Sequence, residues 1–514
     1  MNNYFSVPLE DTNEHSNKIM FYKKVSSVFI KVLCAAAMIC STAYLVMLGW
    51  YSYLAADDFS FIGHVDNDGI LGFVQYAYAH IQSRFSSFYM MGWIFKIWGH
   101  ASNLIGYAIT LLLLGYATIY YALRQFTGIK DRLFLFAAAV LILNISVMAY
   151  IEIGTFFWVC CAIYTVSVYA TILLFVTIFY SRSKLWLRWV IVCLLSVFLS
   201  GGAENYTPVL IALMGSFMLY QMITTQTWKF WRTTEQQMML VSMLILIVGF
   251  LIVAAGPARK VRVASGWTTD FAENFALVPY LMRFAKASVV LFLRLLSRSL
   301  YYVLFIPLGW LIGIKMRNNG YVMRIKTGKA IMLSLLAALF AIEISVAAAV
   351  YGTGWYAPDR ANSFMSFILM ALVVYWSVLL GLRTGTQRHV YAYVALANLI
   401  IASMSCCFIK KEQPLVANVH AQVDNCYAQI EEHKKSGSLE PLVLEPIVYP
   451  YLPNSYAIMR TAINRLMGKH EAYRSLSSKY FPYKYLSFSR DPNDFRNRGI
   501  CAWANVDFEV IGWE

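Results

Sequence analysis

Two adjacent carboxylates, Asp57 and Asp58, follow directly on a long apolar run. At an interface such a pair can take a proton from a hydroxyl or hold a divalent cation. Their mutual repulsion should raise one of the two pKa values. Arg259, Lys260 and Arg262 follow Gly256-Pro257-Ala258 at the end of another apolar run, and Arg84 and Arg360 stand at the ends of two further segments. Guanidinium groups grip phosphate oxygens through paired N–H donors, so these positions read as an anion site. Glu152, and Glu204 with Asn205, sit in short turns between apolar runs. Ionisable groups at such depth are costly unless they line a polar cavity. Together these residues point to one cavity opening on one face of the molecule.

Each feature also has a plainer use. An acidic pair stops a span at an interface. Asp66-Asn67-Asp68-Gly69 has the D-x-D form of a metal site, but such clusters are more often turns. Glu204-Asn205 suits a helix cap ahead of Pro208. Arg360 can pair with Asp359 at a helix start. His64, His80 and His100 read as interfacial polar residues, and no His or Cys constellation has zinc spacing. No Walker motif, dinucleotide fingerprint or G-x-S-x-G elbow is present, which argues against an ATP-driven pump or a soluble-type hydrolase.

The elements that must position these residues are set by composition. Of 514 residues, 59% are hydrophobic and 13% charged, against roughly 45–50% and about 25% in soluble chains. Mean hydropathy is +0.57. A disordered chain, a collagen-like chain and a soluble enzyme around one core do not fit. A spanning helix needs about 20 mostly apolar residues. Eleven such runs occur, at 28–54, 104–123, 133–151, 155–180, 185–202, 206–223, 237–255, 288–314, 330–351, 361–382 and 389–409. The expected fold is therefore an all-α polytopic membrane protein of about 11 transmembrane helices. The aromatic stretch 85–100 is short for a span and reads as an interfacial or re-entrant helix. The first run is too long for a secretory h-region and reads as an uncleaved anchor.

The net charge of +15 would suggest nucleic acid in a soluble chain. Sorted by loop, it reads instead as orientation, and no nucleic-acid partner is expected. Placing residues 1–27 in the cytoplasm puts Lys130, Arg182, Lys184, Arg317 and Lys326, among others, inside as well. Arg259, Lys260 and Arg262 then fall on the disfavoured side. Eleven spans leave the first outer loop, 55–103, and the tail, 410–514, outside. The tail holds 13 basic and 12 acidic residues and reads as a small outer domain that covers the cavity or selects the acceptor. Cys34, Cys40, Cys160, Cys161 and Cys193 read as small apolar residues within spans. Cys426 and Cys501 are a candidate disulfide whose pairing the sequence leaves open.

An acidic pair right after the first span resembles integral-membrane glycosyltransferases of the GT-C class. The chain looks more closely like a family of uncharacterised bacterial polytopic proteins related to that class. The residues that carry the likeness are Ala56-Asp57-Asp58-Phe59, Ser83-Arg84-Phe85, Phe157-Trp158 with Tyr164, Gly202-Ala203-Glu204-Asn205, Gly256-Pro257-Ala258-Arg259 and Pro358-Asp359-Arg360. In the tail they are Arg490-Asp491-Pro492 with Phe495-Arg496-Asn497. Where that family more often has Pro-Gly-Asn before the basic residue, this chain has Gly-Pro-Ala.

The resemblance implies an inverting transfer of a sugar from a polyprenyl-phosphate donor to a cell-surface glycan or lipid. The reaction would run on the outer face of the bacterial cytoplasmic (inner) membrane. Asp57 or Asp58 would act as base, with a divalent cation as an open option. Arg84, Arg259, Lys260, Arg262 and Arg360 would hold the phosphate. Glu152, Glu204 and Asn205 would bind sugar hydroxyls, and Trp158 and Trp355 would stack on a sugar face. A flippase or transporter of lipid-linked glycan, and a polymerase or ligase of surface polysaccharide, are the alternatives.

Overall fold

The computed structural model describes the chain except for residues 1–10, 56, 102, 151–155, 226–230, 265–275, 297, 322–325, 354–358, 385–387, 446, 449–489 and 513–514. Each of the eleven apolar runs lies on helix. α1 (Asp11–Trp50) carries the first. α4 (Ile105–Thr127), α5 (Arg132–Met148), α6 (Ala162–Phe179), α7 (Leu185–Ser200), α8 (Tyr206–Thr225) and α9 (Thr234–Ala254) carry the next six. The eighth run spreads over α11 (Leu277–Leu296), the short α12 (Ser299–Val303) and α13 (Phe305–Asn318). α14 (Thr327–Thr353), α15 (Ser363–Thr384) and α16 (Arg388–Ser436) carry the rest. Among the described residues, seven helices are long and apolar enough to cross a membrane. The pair α11 and α13, bent by 58°, makes up to eight, and α5, α7 and α8 are shorter apolar helices.

Helices in an apolar bundle are held by close backbone approach and by interhelical hydrogen bonds, because lipid tails are as apolar as leucine. Both devices appear here. Gly313 of α13 and Gly381 of α15 face each other so closely that a Cβ on either would overlap the other helix's backbone. Asn144 of α5 donates to Ser41 Oγ (2.8 Å) and Thr42 Oγ1 (2.9 Å) of α1 and accepts from Tyr116 of α4 at 2.7 Å. Tyr44 of α1 donates to Glu412 of α16 at 2.7 Å.

Outside the apolar helices, α2 (Asp57–His80) and α3 (Phe85–Trp98) follow α1, and α10 (Ala258–Ala264) follows α9. α3 buries Phe88, Met91 and Phe95 and exposes Tyr89, Trp93 and Ile97. That apolar exposed face is what an interfacial helix presents to lipid. α16 runs through residue 410, where the sequence reading starts the tail, and contains Pro414. The described tail adds α17 (Phe495–Ala504), β1 (Leu442–Leu444) and β2 (Val510–Gly512), with β1 and β2 paired in parallel. α17 packs on α2: Trp503 lies 5.4 Å from Phe59 and donates its indole N–H to the Gly99 carbonyl at 3.2 Å. Cys426 and Cys501 are free thiols.

Candidate functional site

The site begins with a fold-back in α2. Phe61 and Phe73 have ring centroids 5.3 Å apart, and His64 stacks on Tyr76 at 3.7 Å. Twelve residues of straight helix would separate each pair by roughly 18 Å. The helix therefore reverses between them, at Gly69, whose φ of 70° is a conformation that glycine adopts without a Cβ clash. Asp66-Asn67-Asp68-Gly69 is the tip of this hairpin. Asp66 pairs with His100 (2.7 Å) and Asp68 with His64 (3.2 Å). The reversal returns the chain, so Asp57, Asp58 and Arg84 all belong to the hairpin's base.

Asp58 is fully buried. Its Oδ2 accepts the Ala55 backbone N–H and the Trp158 indole N–H, each at 2.9 Å. Its Oδ1 is buried with no hydrogen-bond partner among the described residues. Burial pushes the carboxyl up to about 7, against the hydrogen bonds from Cys160, Ala55 and Trp158, which favour the charged form; the Asp57 charge adds a lesser upward push. Asp57 is half-buried and so the more accessible of the two. Both stand in the first turn of α2, where the helix dipole favours carboxylates.

Six residues after Trp158, on the first turns of α6, Tyr164 meets the other end of the hairpin. The Arg84 guanidinium lies over the Tyr164 ring at 6.0 Å, and its Nε pairs with Glu204 Oε1 at 3.3 Å. Burial alone would lower the Arg84 pKa; the Glu204 carboxylate and the Tyr164 hydroxyl outweigh it and hold the guanidinium above its ordinary value. Arg262 of α10 is half-buried and feels Glu204, Arg84 and Tyr164; burial pulls its pKa down. Two guanidiniums thus act on one carboxylate: Arg84 pairs with Glu204 directly, and Arg262 lies close enough to feel its charge.

Close backbone contacts hold this centre. A Cβ on Gly256 would overlap Ser83, and Ser83 Oγ accepts the Ala258 N–H at 3.3 Å. A Cβ on Gly201 would come within 2.5 Å of the Phe85 ring, and Ser86 donates to the Phe198 carbonyl at 2.6 Å. Three sequence motifs, around Arg84, Glu204 and Arg259, are brought together in this way. Asn205 is buried and donates to the Ala361 carbonyl at 2.9 Å, which ties in the backbone turn Asp359–Asn362 that contains Arg360.

The remaining candidates are placed less centrally. The Arg259 guanidinium lies over Tyr351 at 5.8 Å, and Lys260 is exposed. Trp158 is only 3% exposed, so it offers no open face for stacking and instead holds Asp58. Glu152, Trp355 and the side chain of Arg360 lie outside the described residues. No group of three His, Cys, Asp or Glu residues that could hold a metal occurs among the described residues. Asp58 Oδ2 is taken by two N–H donors, which leaves its Oδ1 and the Asp57 carboxylate as the oxygens that a cation could reach.

Sequence reasoning passed over Cys160, which lies against Asp58, and Tyr427 and Trp503, which pack with Phe59 next to it. Cys160 reads in the sequence as a small apolar residue of a span, and Tyr427 and Trp503 as ordinary aromatics of the tail. No family model, curated protein or solved structure matches the chain.

Proposed function

We propose that the protein is a membrane glycosyltransferase that moves a sugar from a polyprenyl-phosphate donor to a surface glycan or lipid, with inversion. The reading is carried by one observation: beside the end of the α2 hairpin, Arg84 pairs with Glu204 while Arg262 of α10 feels the same carboxylate. An anion seated there gains charge-assisted hydrogen bonds without first breaking a fully neutralised network. The eleven helical runs serve as spans, with the N-terminus in the cytoplasm and the hairpin and tail outside the bacterial cytoplasmic membrane.

The roles follow from exposure and charge. The acceptor hydroxyl attacks the anomeric carbon, and the carbon–oxygen bond to the donor phosphate breaks. The acceptor proton passes to Asp57, the accessible carboxylate. The released phosphate takes the bonding electron pair, and its charge is stabilised by Arg84 and Arg262, with Arg259, Lys260 and Arg360 at the approach. Asp58, clamped by Trp158 and Ala55, orients the start of α2 on which Asp57 stands. Glu204 faces the sugar hydroxyls, and Asn205, bonded to the Ala361 carbonyl, holds the turn beside it. Cells lacking the protein should accumulate a lipid-linked sugar and lose that sugar from a surface glycan. An unchanged profile of lipid-linked intermediates counts against the reading.

A transporter of lipid-linked glycan is favoured by a different observation, the charge inside the bundle. Arg294, Arg298 and Glu412 are buried, and Glu343 accepts from Ser288 at 2.6 Å. Transport should fail when Arg294 or Glu343 is neutralised and tolerate Asp57→Asn. Transfer should show the reverse.

A further inference from the structure

A groove of about 1020 Å³ runs between α1, α4 and α5, away from every residue of the candidate site. Its walls are apolar, and the small side chains of Ala43 and Ala117, both exposed, leave it open on the outer surface of the bundle. Two of its few polar groups are already engaged: Thr42 lies 3.4 Å from the Tyr116 hydroxyl, and both bond to Asn144. The groove therefore offers a hydrocarbon surface and little hydrogen-bonding capacity.

One end is charged. Asn144 stands level with Thr42, its partner on α1. Arg132, twelve residues earlier on the same helix and also part of the groove wall, lies roughly 18 Å away along the axis. Half of a bilayer's hydrocarbon core is about 15 Å. On α5 the groove wall runs from Arg132 to Val140, roughly 12 Å, so Arg132 stands at one end of a trough of about leaflet depth, where a lipid phosphate lies when its chain fills the groove. Arg132 is exposed, makes no ion pair among the described residues, and has the exposed Lys130 two residues away. Asp131, between them, is taken by Lys315 at 2.9 Å and by the Phe134 N–H at 3.0 Å.

We propose that this groove binds one chain of an anionic phospholipid of the bilayer, with its phosphate against Arg132. The match is one of charge and length: an apolar trough of leaflet depth with a single free guanidinium at its rim. This site is separate from the one proposed for sugar transfer and stands or falls independently of it.

Native mass spectrometry of the full-length protein tests it, using phosphatidylglycerol and phosphatidylcholine with identical chains. One phosphatidylglycerol should be retained about fivefold over phosphatidylcholine, the preference a single basic residue gives at a lipid surface. Arg132→Ala should abolish the preference and Arg132→Lys should keep most of it. Ala117→Phe, which fills the groove, should lower retention of both lipids. Equal retention of the two lipids by the wild type, or a preference that survives Arg132→Ala, would overturn the proposal. So would displacement of phosphatidylglycerol by an equal concentration of polyprenyl phosphate, which would reassign the groove to that lipid.

Discussion

The indole N–H of Trp158 donates to Asp58 Oδ2 at 2.9 Å, across one hundred residues of sequence. This bond joins the start of the hairpin to the start of α6, and Tyr164, further along α6, reaches Arg84. The acidic and basic halves of the site are thus registered through one helix. Trp158→Phe keeps an aromatic side chain and removes the donor. It should destabilise the protein by about 1–3 kcal/mol, since it leaves a buried carboxyl oxygen with one donor fewer. A thermal unfolding measurement in detergent checks this, and an unchanged midpoint would contradict the clamp.

Asp58 makes stability depend on pH in a direction that can be worked out. Its carboxyl titrates near 7 in the folded protein, above the ordinary carboxylate value of 3.8. Between those values the folded state binds more protons than the unfolded state, so stability falls as pH rises from about 4 to about 7. Below that window the buried group costs nothing in charge, and above it the cost is complete. The unfolding midpoint should therefore fall from pH 5 to pH 8, and Asp58→Asn should flatten that slope. An equally steep slope in Asp58→Asn would assign the dependence to other groups.

The Arg84, Glu204 and Arg262 centre predicts effects of opposite sign. Arg262→Ala should weaken binding of a short-chain prenyl phosphate tenfold or more, the worth of about 1.5–3 kcal/mol for a charged hydrogen bond. Glu204→Gln removes the competing carboxylate and should tighten binding of the same probe. Titration of the two variants separates this arrangement from a purely structural ion pair, in which neither change would move phosphate affinity.

Cys40 of α1 and Cys406 of α16 have sulfur atoms 3.6 Å apart. A mild oxidant such as copper phenanthroline should cross-link them, and Cys40→Ser should abolish the cross-link. No cross-link in the wild type would contradict the packing of the first apolar helix on the last.

The apolar helices were legible because a run of about 20 apolar residues has few other stable fates. The stretch 85–100 was legible as an aromatic segment too short to span, and it forms the 14-residue helix α3. The Asp66-Asn67-Asp68-Gly69 turn was also legible, but its consequence was not: a glycine reversal inside a helix folds α2 back on itself, and no local spacing shows that. The Trp158 bond was hidden for the same reason, because a side-chain pair one hundred residues apart leaves no periodic trace. Trp158 was expected to stack on a sugar, since interfacial tryptophans commonly present a face. Here the surrounding helices bury the ring and use its N–H. The tail was expected to cover the cavity, but the residues through which it packs, Tyr427 and Trp503 on Phe59, were not legible, because composition does not reveal such contacts.

The central claim is that the carboxylate pair at the hairpin base serves sugar transfer. Its most direct test is the surface glycan and the lipid-linked donor pool in cells carrying Asp57→Asn or Asp58→Asn protein, with membrane insertion checked in parallel. Asp57→Asn should abolish addition of the sugar and raise the donor pool while the protein remains inserted, and Asp58→Asn should reduce addition. An unchanged glycan and an unchanged donor pool in both variants would contradict the assignment.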